Sequence, residues 1–414
     1  MPFQQMIDLQ FCQSFGQEKD QTDQEQISSL KFSDQYLAVG DQGGRVILFT
    51  YKTQHQSPIL KNDIYCPSAS MVPKFEFQAH NKEFDPIRSC EIRSKVIEME
   101  FVRDNILLTA NEKEVKMWKL GQKQVWSKGD SEFPIKSGVK VTSTLKKTFN
   151  SIQNYHINSI HAQNDIFLIA DDFSIKQYSI ENIHESLLIC NIIPTNMESI
   201  LETIKVAQFN DQSDNIINYG TDLGNIHILD KRQTQQGSST SFGVDSSVFD
   251  LKSHNDNLYI RTLNDMYIYD VRNTSQPLLE LPLFRAIYTG KPQTNFKIAL
   301  KDDVFATGFY GQCVTIGNAN DAYQFKATRQ LKRSKSDFCS CVGGFQILKD
   351  GISTTDQTYN NDFIGVASCF DFSDELLSVS IGGNLYLYGW ADQKDSYTRD
   401  QTGSNEEGVK YISE

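Results

Sequence analysis

Hydrophobic residues along this chain come in short runs that recur in a fixed order. The first set reads Ile27-Ser-Ser-Leu-Lys-Phe-Ser33, then Tyr36-Leu-Ala-Val-Gly-Asp41, then Arg45-Val-Ile-Leu-Phe-Thr50. Runs of four to eight residues bounded by Asp, Gly and Asn predict strands joined by tight turns. Gly43-Gly44 between the last two runs supplies the positive φ that such a turn needs. The order returns in Val96 to Val102, Ile106 to Ala110 and Glu114 to Leu120, and again in Ile166 to Asp172 and Ser174 to Ser179. Further copies are Val206–Asn210 with Ile216–Gly220 and Asn225–Asp230, and Val248–Leu251 with Leu258–Arg261 and Asp265–Asp270. The last two are Phe296–Leu300 with Val304–Gly308 and Gln312–Ile316, and Ala367–Phe372 with Leu376–Ile381 and Asn384–Tyr388.

Seven copies of a three-to-four-strand unit predict an all-β fold, a seven-bladed β-propeller, in which each blade buries its faces against its neighbours. The third strands end in Trp118, Tyr178, Asp230, Asp270 and Tyr388, a faint form of the Trp-Asp ending of WD repeats. An alternating stretch, Ile7 to Phe15, precedes the first unit. It is expected to supply the outer strand of the last blade and so to close the ring and hide an edge. The propeller should occupy residues 1–390, with an extended hairpin at 121–150 and polar loops at 231–246 and 327–362. Residues 391–414 are almost wholly polar and read as a disordered tail.

Composition narrows what such a propeller does. Lys and Arg number 40 against 52 Asp and Glu, a net charge of −12, so grip on nucleic acid or anionic membranes by charge is not expected. The start of the chain lacks a secretory leader pattern, no apolar run is long enough to span a bilayer, and the eight scattered cysteines suit a reduced compartment. The expected location is cytoplasmic, with nucleus, cytoskeleton and cilium left open. Catalytic motifs are missing. Gly290-Lys291 has Arg285 where a phosphate-cradling loop needs its first Gly, and His184-Glu185 runs into Ser186-Leu187-Leu188. Cys339 and Cys341 have no second pair at zinc spacing. Neither a metal nor a cofactor is expected, and the chain reads as a binding protein, not an enzyme. One basic run, Lys326 to Lys335, reads as a solvated loop, with a nuclear-import patch or a contact for an acidic partner surface as the alternatives.

Two segments carry more specific information. One runs Phe77-Gln-Ala-His-Asn-Lys-Glu83-Phe84-Asp85-Pro-Ile-Arg-Ser-Cys-Glu-Ile92. The other is Asn154-Tyr-His-Ile-Asn158-Ser-Ile160, followed by Ala170-Asp-Asp172. Both resemble signature stretches of the WD-repeat regulatory B subunits, fifty-five-kilodalton class, of protein phosphatase 2A. Tyr36 to Arg45 and Pro194-Thr-Asn-Met-Glu198 fit the same family, and the resemblance runs from about Asp8 to Trp390. It implies a subunit that sits on a HEAT-repeat scaffold beside a catalytic subunit and docks phosphoprotein substrates in a groove on the top of the propeller. Carried over by position, that groove would use Asp23, Tyr155, His156, Asp172, Met197, Glu198 and Ile200. Asp172 would be the central acceptor, Tyr155 and Ile200 apolar contacts, and His156 a positioning group.

This chain departs from the family pattern in four places. Arg93-Ser94 stand where the family carries an acidic pair, and Gln42 where it carries Lys. A segment from Phe284 to Thr294 replaces a longer acidic loop, and the hairpin at 121–150 is shorter than the family's scaffold-reaching one. An alternative expectation is therefore a structural adaptor that binds cytoskeletal or ciliary proteins.

Overall fold

The computed structural model describes residues 9–16, 23–51, 71–86, 89–127, 135–150, 155–193, 202–232, 240–283, 295–320, 322–326, 346–347 and 366–390. Apart from a 3₁₀ turn at Asp23–Glu25, the regular structure in them is antiparallel β. Seven sheets stand in a ring, with four strands in each but the sixth. From the axis outward, blade 1 is Ile27–Phe32, Tyr36–Asp41, Arg45–Tyr51 and Met71–Gln78, and blade 2 is Glu98–Arg103, Ile106–Ala110, Glu114–Ser127 and Ile135–Asn150. Blade 3 is Ile157–Gln163, Ile166–Asp171, Ser174–Ser179 and Ser186–Asn191. Blade 4 is Ile204–Asn210, Ser213–Thr221, Asn225–Asp230 and Thr240–Gly243, and blade 5 is Asp250–His254, Asn257–Arg261, Asp265–Asp270 and Leu279–Pro282. Blade 6 is Ile298–Lys301, Val304–Gly308, Cys313–Gly317 and Ala322–Lys326, with Gln346–Ile347 beyond. Blade 7 is Ala367–Phe372, Leu376–Ile381 and Asn384–Trp390, and its outer strand is Leu9–Phe15 from the start of the chain.

The closure expected from the alternating N-terminal stretch is thus present. Leu9 pairs with Trp390 and Phe15 with Leu385. The Phe15 ring lies 4.8 Å from that of Phe49, so the closing strand also ties blade 7 to blade 1. Second strands are clamped between neighbouring blades, which explains their burial: Tyr36–Asp41 and Leu376–Ile381 are buried at every position. Apolar side chains gather at the blade junctions. Ala38 and Leu48 of blade 1, for instance, meet Val96, Met99, Leu107 and Trp118 of blade 2. Each fully buried Leu or Ile contributes roughly 1.5–3 kcal/mol by leaving water.

Several boundaries differ from the sequence reading: Phe296 precedes the inner strand of blade 6, and the second strand of blade 4 begins at Ser213. Val96 and Val248, expected as strand residues, precede the inner strands of their blades. They plug the junction instead, because a Cβ on Gly40 would lie 2.9 Å from Val96 and one on Gly220 2.7 Å from Val248. The same place in the second strand holds Ala110, Ala170 and Gly308 in other blades, but Arg261 in blade 5. Its buried guanidinium donates to Thr307 Oγ1 at 3.2 Å and the Gly308 carbonyl at 3.0 Å, with the Phe296 ring 4.9 Å away. A side chain therefore bridges blades 5 and 6. Burial pushes its pKa down to about 9, which still leaves it charged at neutral pH.

Segments read as insertions partly belong to blades. Leu120 pairs with Ser143, so residues 143–150 complete blade 2, and among the described residues 121–127 and 135–142 project beyond it. Thr240–Gly243, inside the expected loop 231–246, is the outer strand of blade 4. Apart from Gln346–Ile347, the loop 327–362 lies outside the described residues, as does the tail 391–414.

The seven inner strands enclose an axial cavity of about 340 Å³ with a charged wall. Lys297 of blade 6 reaches Glu98 of blade 2 at 2.7 Å, and Lys31 of blade 1 reaches Glu100 of blade 2 at 2.9 Å. Burial alone would lower the Lys297 pKa, but the Glu98 and Asp250 carboxylates outweigh it and raise it.

Candidate docking groove

Antiparallel connectivity places two kinds of loop on one face of the ring. They are the turns between second and third strands and the links from an outer strand to the next inner strand. Backbone bonds stitch these loops together across the junctions. Val96 N–H donates to the Asp41 carbonyl (3.1 Å), Ile157 to Glu112 (2.9 Å), Ile204 to Asp172 (2.8 Å) and Val248 to Thr221 (3.1 Å). At these four junctions the turn of one blade abuts the approach to the next. This is what brings residues from separate sequence segments to one rim.

Asp172 occupies the turn of blade 3 and works first as an organiser. Its Oδ2 accepts from His156 N–H at 3.0 Å and its Oδ1 from Asn158 Nδ2 at 2.9 Å. Asn158 also donates to the Ile204 carbonyl at 2.7 Å, which ties the approach to blade 3 to the approach to blade 4. Each carboxylate oxygen keeps a second lone pair for an incoming N–H. Asp172 is half-buried and His156 exposed, so the carboxylate is reachable while its orientation is fixed by two neighbours.

Tyr155 meets the ring of Phe173 edge-on at 4.8 Å, an apolar shoulder next to Asp172. On the other side, His156 Nε2 lies 3.8 Å from Glu112 Oε1 in the turn of blade 2. Burial works against the imidazolium, yet Glu112 and Asp172 outweigh it and raise the His156 pKa. Glu112 is held below the usual carboxylate range by His156. Sequence reasoning passes over Glu112 and Phe173. The only signal for them is that turns of successive blades meet on one face, which needs the ring to be known.

The first signature segment forms a small two-stranded ribbon, Glu83–Asp85 with Cys90–Ile92, between blades 1 and 2. Glu83 lies 3.8 Å from Lys113, which holds the ribbon over the turn of blade 2. Phe84 is 63% exposed, unusual for so large an apolar ring. The side chain of Asp85 lies outside the described residues, as does that of Asp23, whose backbone sits in the 3₁₀ turn before blade 1. Met197, Glu198 and Ile200 also lie outside the described residues. The structure thus brings Tyr155, His156, Asn158 and Asp172 together and places Glu83 and Phe84 on the same face.

Below the ribbon, one blade carries a hydrogen-bond relay. Trp118 Nε1–H donates to Thr109 Oγ1 at 3.0 Å, His80 Nε2 lies 2.9 Å from the same oxygen, and Glu114 Oε1 is 3.4 Å from His80 Nδ1. Trp118 is the one Trp among the strand endings named from sequence, and this relay is its role in the blade. The projecting hairpin of 121–142 leaves from the opposite face, where third strands end.

No protein-family profile matches the chain. Among curated proteins, it is 25% identical to the Caenorhabditis elegans serine/threonine-protein phosphatase 2A regulatory subunit sur-6, over 89% of this chain and 87% of the relative. It is 25% identical to the Drosophila melanogaster protein phosphatase PP2A 55 kDa regulatory subunit, over 89% of this chain and 84% of the relative. A regulatory B subunit of protein phosphatase PP2A from Schizosaccharomyces pombe is 28% identical, over 66% of this chain and 67% of the relative. Among solved structures, a computationally designed protein, Ika8, covers 89% of this chain at 14% identity and a TM-score of 0.45, and is itself covered to 97%. By sequence this seven-bladed propeller is a divergent relative of the regulatory B subunits of protein phosphatase 2A.

Proposed function

We propose that the chain is a non-catalytic, substrate-selecting subunit of a protein phosphatase 2A assembly. It holds a HEAT-repeat scaffold and a catalytic subunit from one face and docks phosphoproteins in the Asp172 groove on the other. The observation that carries the reading is the pre-set Asp172 carboxylate. It is fixed by His156 and Asn158, is reachable from solvent, and lies in a chain whose curated relatives are phosphatase regulatory subunits. Docking of this kind acts by effective concentration. A substrate held at one point presents its phosphoresidue to a tethered active site at roughly millimolar local concentration, so modest docking energy sets which substrates are processed.

Affinity purification of the intact chain tests the proposal beside two variants. In the first, residues 122–141 are replaced by a two-residue turn joining Gly121 to Thr142, which face each other in register. The second is Asp172→Lys. The intact chain and Asp172→Lys should both recover scaffold and catalytic subunits, Asp172→Lys should lose phosphoprotein partners, and the shortened hairpin should lose the scaffold. Recovery of neither phosphatase subunit by the intact chain would refute the proposal.

A further inference from the structure

Across Glu112 from His156, the same rim carries a positive patch. It lies on the run Arg93–Ile97 that leads from the signature ribbon into blade 2. This run is fixed in place: Ser94 Oγ donates to the Gln42 carbonyl at 3.3 Å, Val96 N–H to Asp41 at 3.1 Å and Ile97 N–H to Ala110 at 2.8 Å. The two cations on it, Arg93 and Lys95, have no carboxylate within ion-pair distance among the described residues. Arg93 is exposed and Lys95 half-buried. Burial lowers the Lys95 pKa, Arg93 and Lys297 add to this, and Cys369 and the Glu112 carboxylate offset it only in part.

The carboxylates nearby are already committed. Glu112 faces His156, Glu98 faces Lys297 and accepts from Ile160 N–H at 2.8 Å, and Asp172 holds His156 and Asn158. A half-buried ammonium whose nearest carboxylate, Glu112, stays beyond ion-pair distance recovers only part of its desolvation cost. An arriving anion removes that cost and gains two charge-assisted contacts. In a chain of net charge −12, such a patch on the proposed docking face is a local reversal of sign.

We propose that the groove selects an extended peptide segment that sets an acidic side chain, Asp or Glu, against Arg93 and Lys95 while the neighbouring part of the segment engages Asp172. The inference rests on the docking reading above and names its substrate class: a segment of mixed charge, acidic over the approach to blade 2. A carboxylate suits the position better than a phosphomonoester. Glu112 borders it, and the desolvation cost of a dianion rises with the square of its charge while its attraction to Arg93 and Lys95 rises only linearly.

The test is selection from a random-peptide phage library on the full-length chain, with Arg93→Glu, Arg93→Glu/Lys95→Gln and Asp172→Lys as parallel baits. Arg93 is exposed, so Arg93→Glu alone reads the patch without burdening the fold. The intact chain should enrich peptides containing Asp or Glu. Both Arg93 variants should lose them and bind a chosen acidic peptide at least about tenfold more weakly by fluorescence anisotropy. Replacing its Asp or Glu by Gln should weaken binding to the intact chain, and replacing it by phosphoserine should not strengthen it. Enrichment that Asp172→Lys abolishes but Arg93→Glu leaves unchanged would overturn this inference and keep the groove. Tighter binding of the phosphoserine peptide would overturn the carboxylate assignment. No enrichment on the intact chain would overturn the groove reading and this inference together.

Discussion

Lys297 and Glu98 meet at 2.7 Å although they belong to blades 6 and 2, well apart around the ring. Their ion pair bars the axial cavity and joins parts of the chain 199 residues apart. Both side chains are largely buried, so neither charge is well solvated without the other.

Breaking this pair from one side should therefore cost far more than removing it. Glu98→Gln leaves the buried Lys297 ammonium with only the Asp250 carboxylate nearby and no contact partner, a loss of about 3 kcal/mol. The double variant Glu98→Gln/Lys297→Met should recover much of it. Because the folded Lys297 pKa is raised, its contribution is fully present below 10.5 and is lost only as pH rises through the folded value. Urea midpoints of the single and double variants at pH 7 decide the matter. A double variant no more stable than Glu98→Gln would show that the pair is not coupled.

The relay below the ribbon predicts sensitivity to acid. Thr109 Oγ1 serves both Trp118 and His80, and Thr109→Val strands two buried nitrogens at a cost of about 2–3 kcal/mol. Burial lowers the His80 pKa, and Glu114 offsets this only in part. Burial would raise the Glu114 pKa, yet His80 and Lys116 pull it down to about 2. Both folded values are depressed, so the stabilisation is complete above the unfolded values. It declines first as pH falls below 6.5 through His80, then below 4.5 through Glu114. Denaturant midpoints at pH 7, 5.5 and 3.5 should fall in that order, and Glu114→Gln should flatten the last step. An unchanged last step in Glu114→Gln would place the acid response elsewhere.

What the sequence makes legible follows from burial. Tyr36–Asp41 and Leu376–Ile381 are covered on both faces, so their apolar runs stand out against any turn. Outer strands are covered poorly: Ser186–Asn191 exposes Leu187 and Leu188, and Thr240–Gly243 is polar enough to pass for a loop. Val96 and Val248 pass for strand residues because plugging a glycine and filling a strand ask for the same side chain. At the groove, the family resemblance points to Asp172. That both its oxygens are already engaged by His156 and Asn158, and that Glu112 stands opposite, depends on which blades are neighbours in the ring.

The N-terminal strand should be required for a monomeric ring. Without residues 1–16, Asn384–Trp390 keeps Leu376–Ile381 on one side but loses its outer partner and offers an open edge to other copies. Leu9 is 4% exposed within the cluster between blades 6 and 7, and Gln13 accepts from Met71 N–H of blade 1 at 3.0 Å. Leu9→Ala alone should cost about 2–4 kcal/mol. Light scattering after size exclusion should show the truncated chain self-associating. A monomer with an unchanged melting temperature would mean that the closing strand is dispensable.

Two glycines with similar backbone angles separate conformation from contact. Gly44 has φ +83° and Gly311 φ +72°, so an alanine at either position adopts the left-handed region at about 1–2 kcal/mol. At Gly311 a Cβ would meet nothing within 4 Å, and that conformational cost is the whole expected effect. At Gly44 it would sit 2.2 Å from the His80 carbonyl and 2.7 Å from that of Ser94, both backbone atoms of the approach to blade 2. Those atoms cannot swing aside as a side chain does. The Gly44 carbonyl also accepts from Ala79 N–H at 2.9 Å and His80 N–H at 3.1 Å, so displacing the segment breaks the bonds that seat it. Gly44→Ala should therefore cost roughly 2 kcal/mol or more beyond Gly311→Ala, by analogy with overpacked sites. It should also loosen the run that carries Arg93 and Lys95. Thermal melts of the two variants, with hydrogen exchange across residues 79–97, test this directly: equal losses in both, with unchanged exchange, would mean that φ alone matters at Gly44.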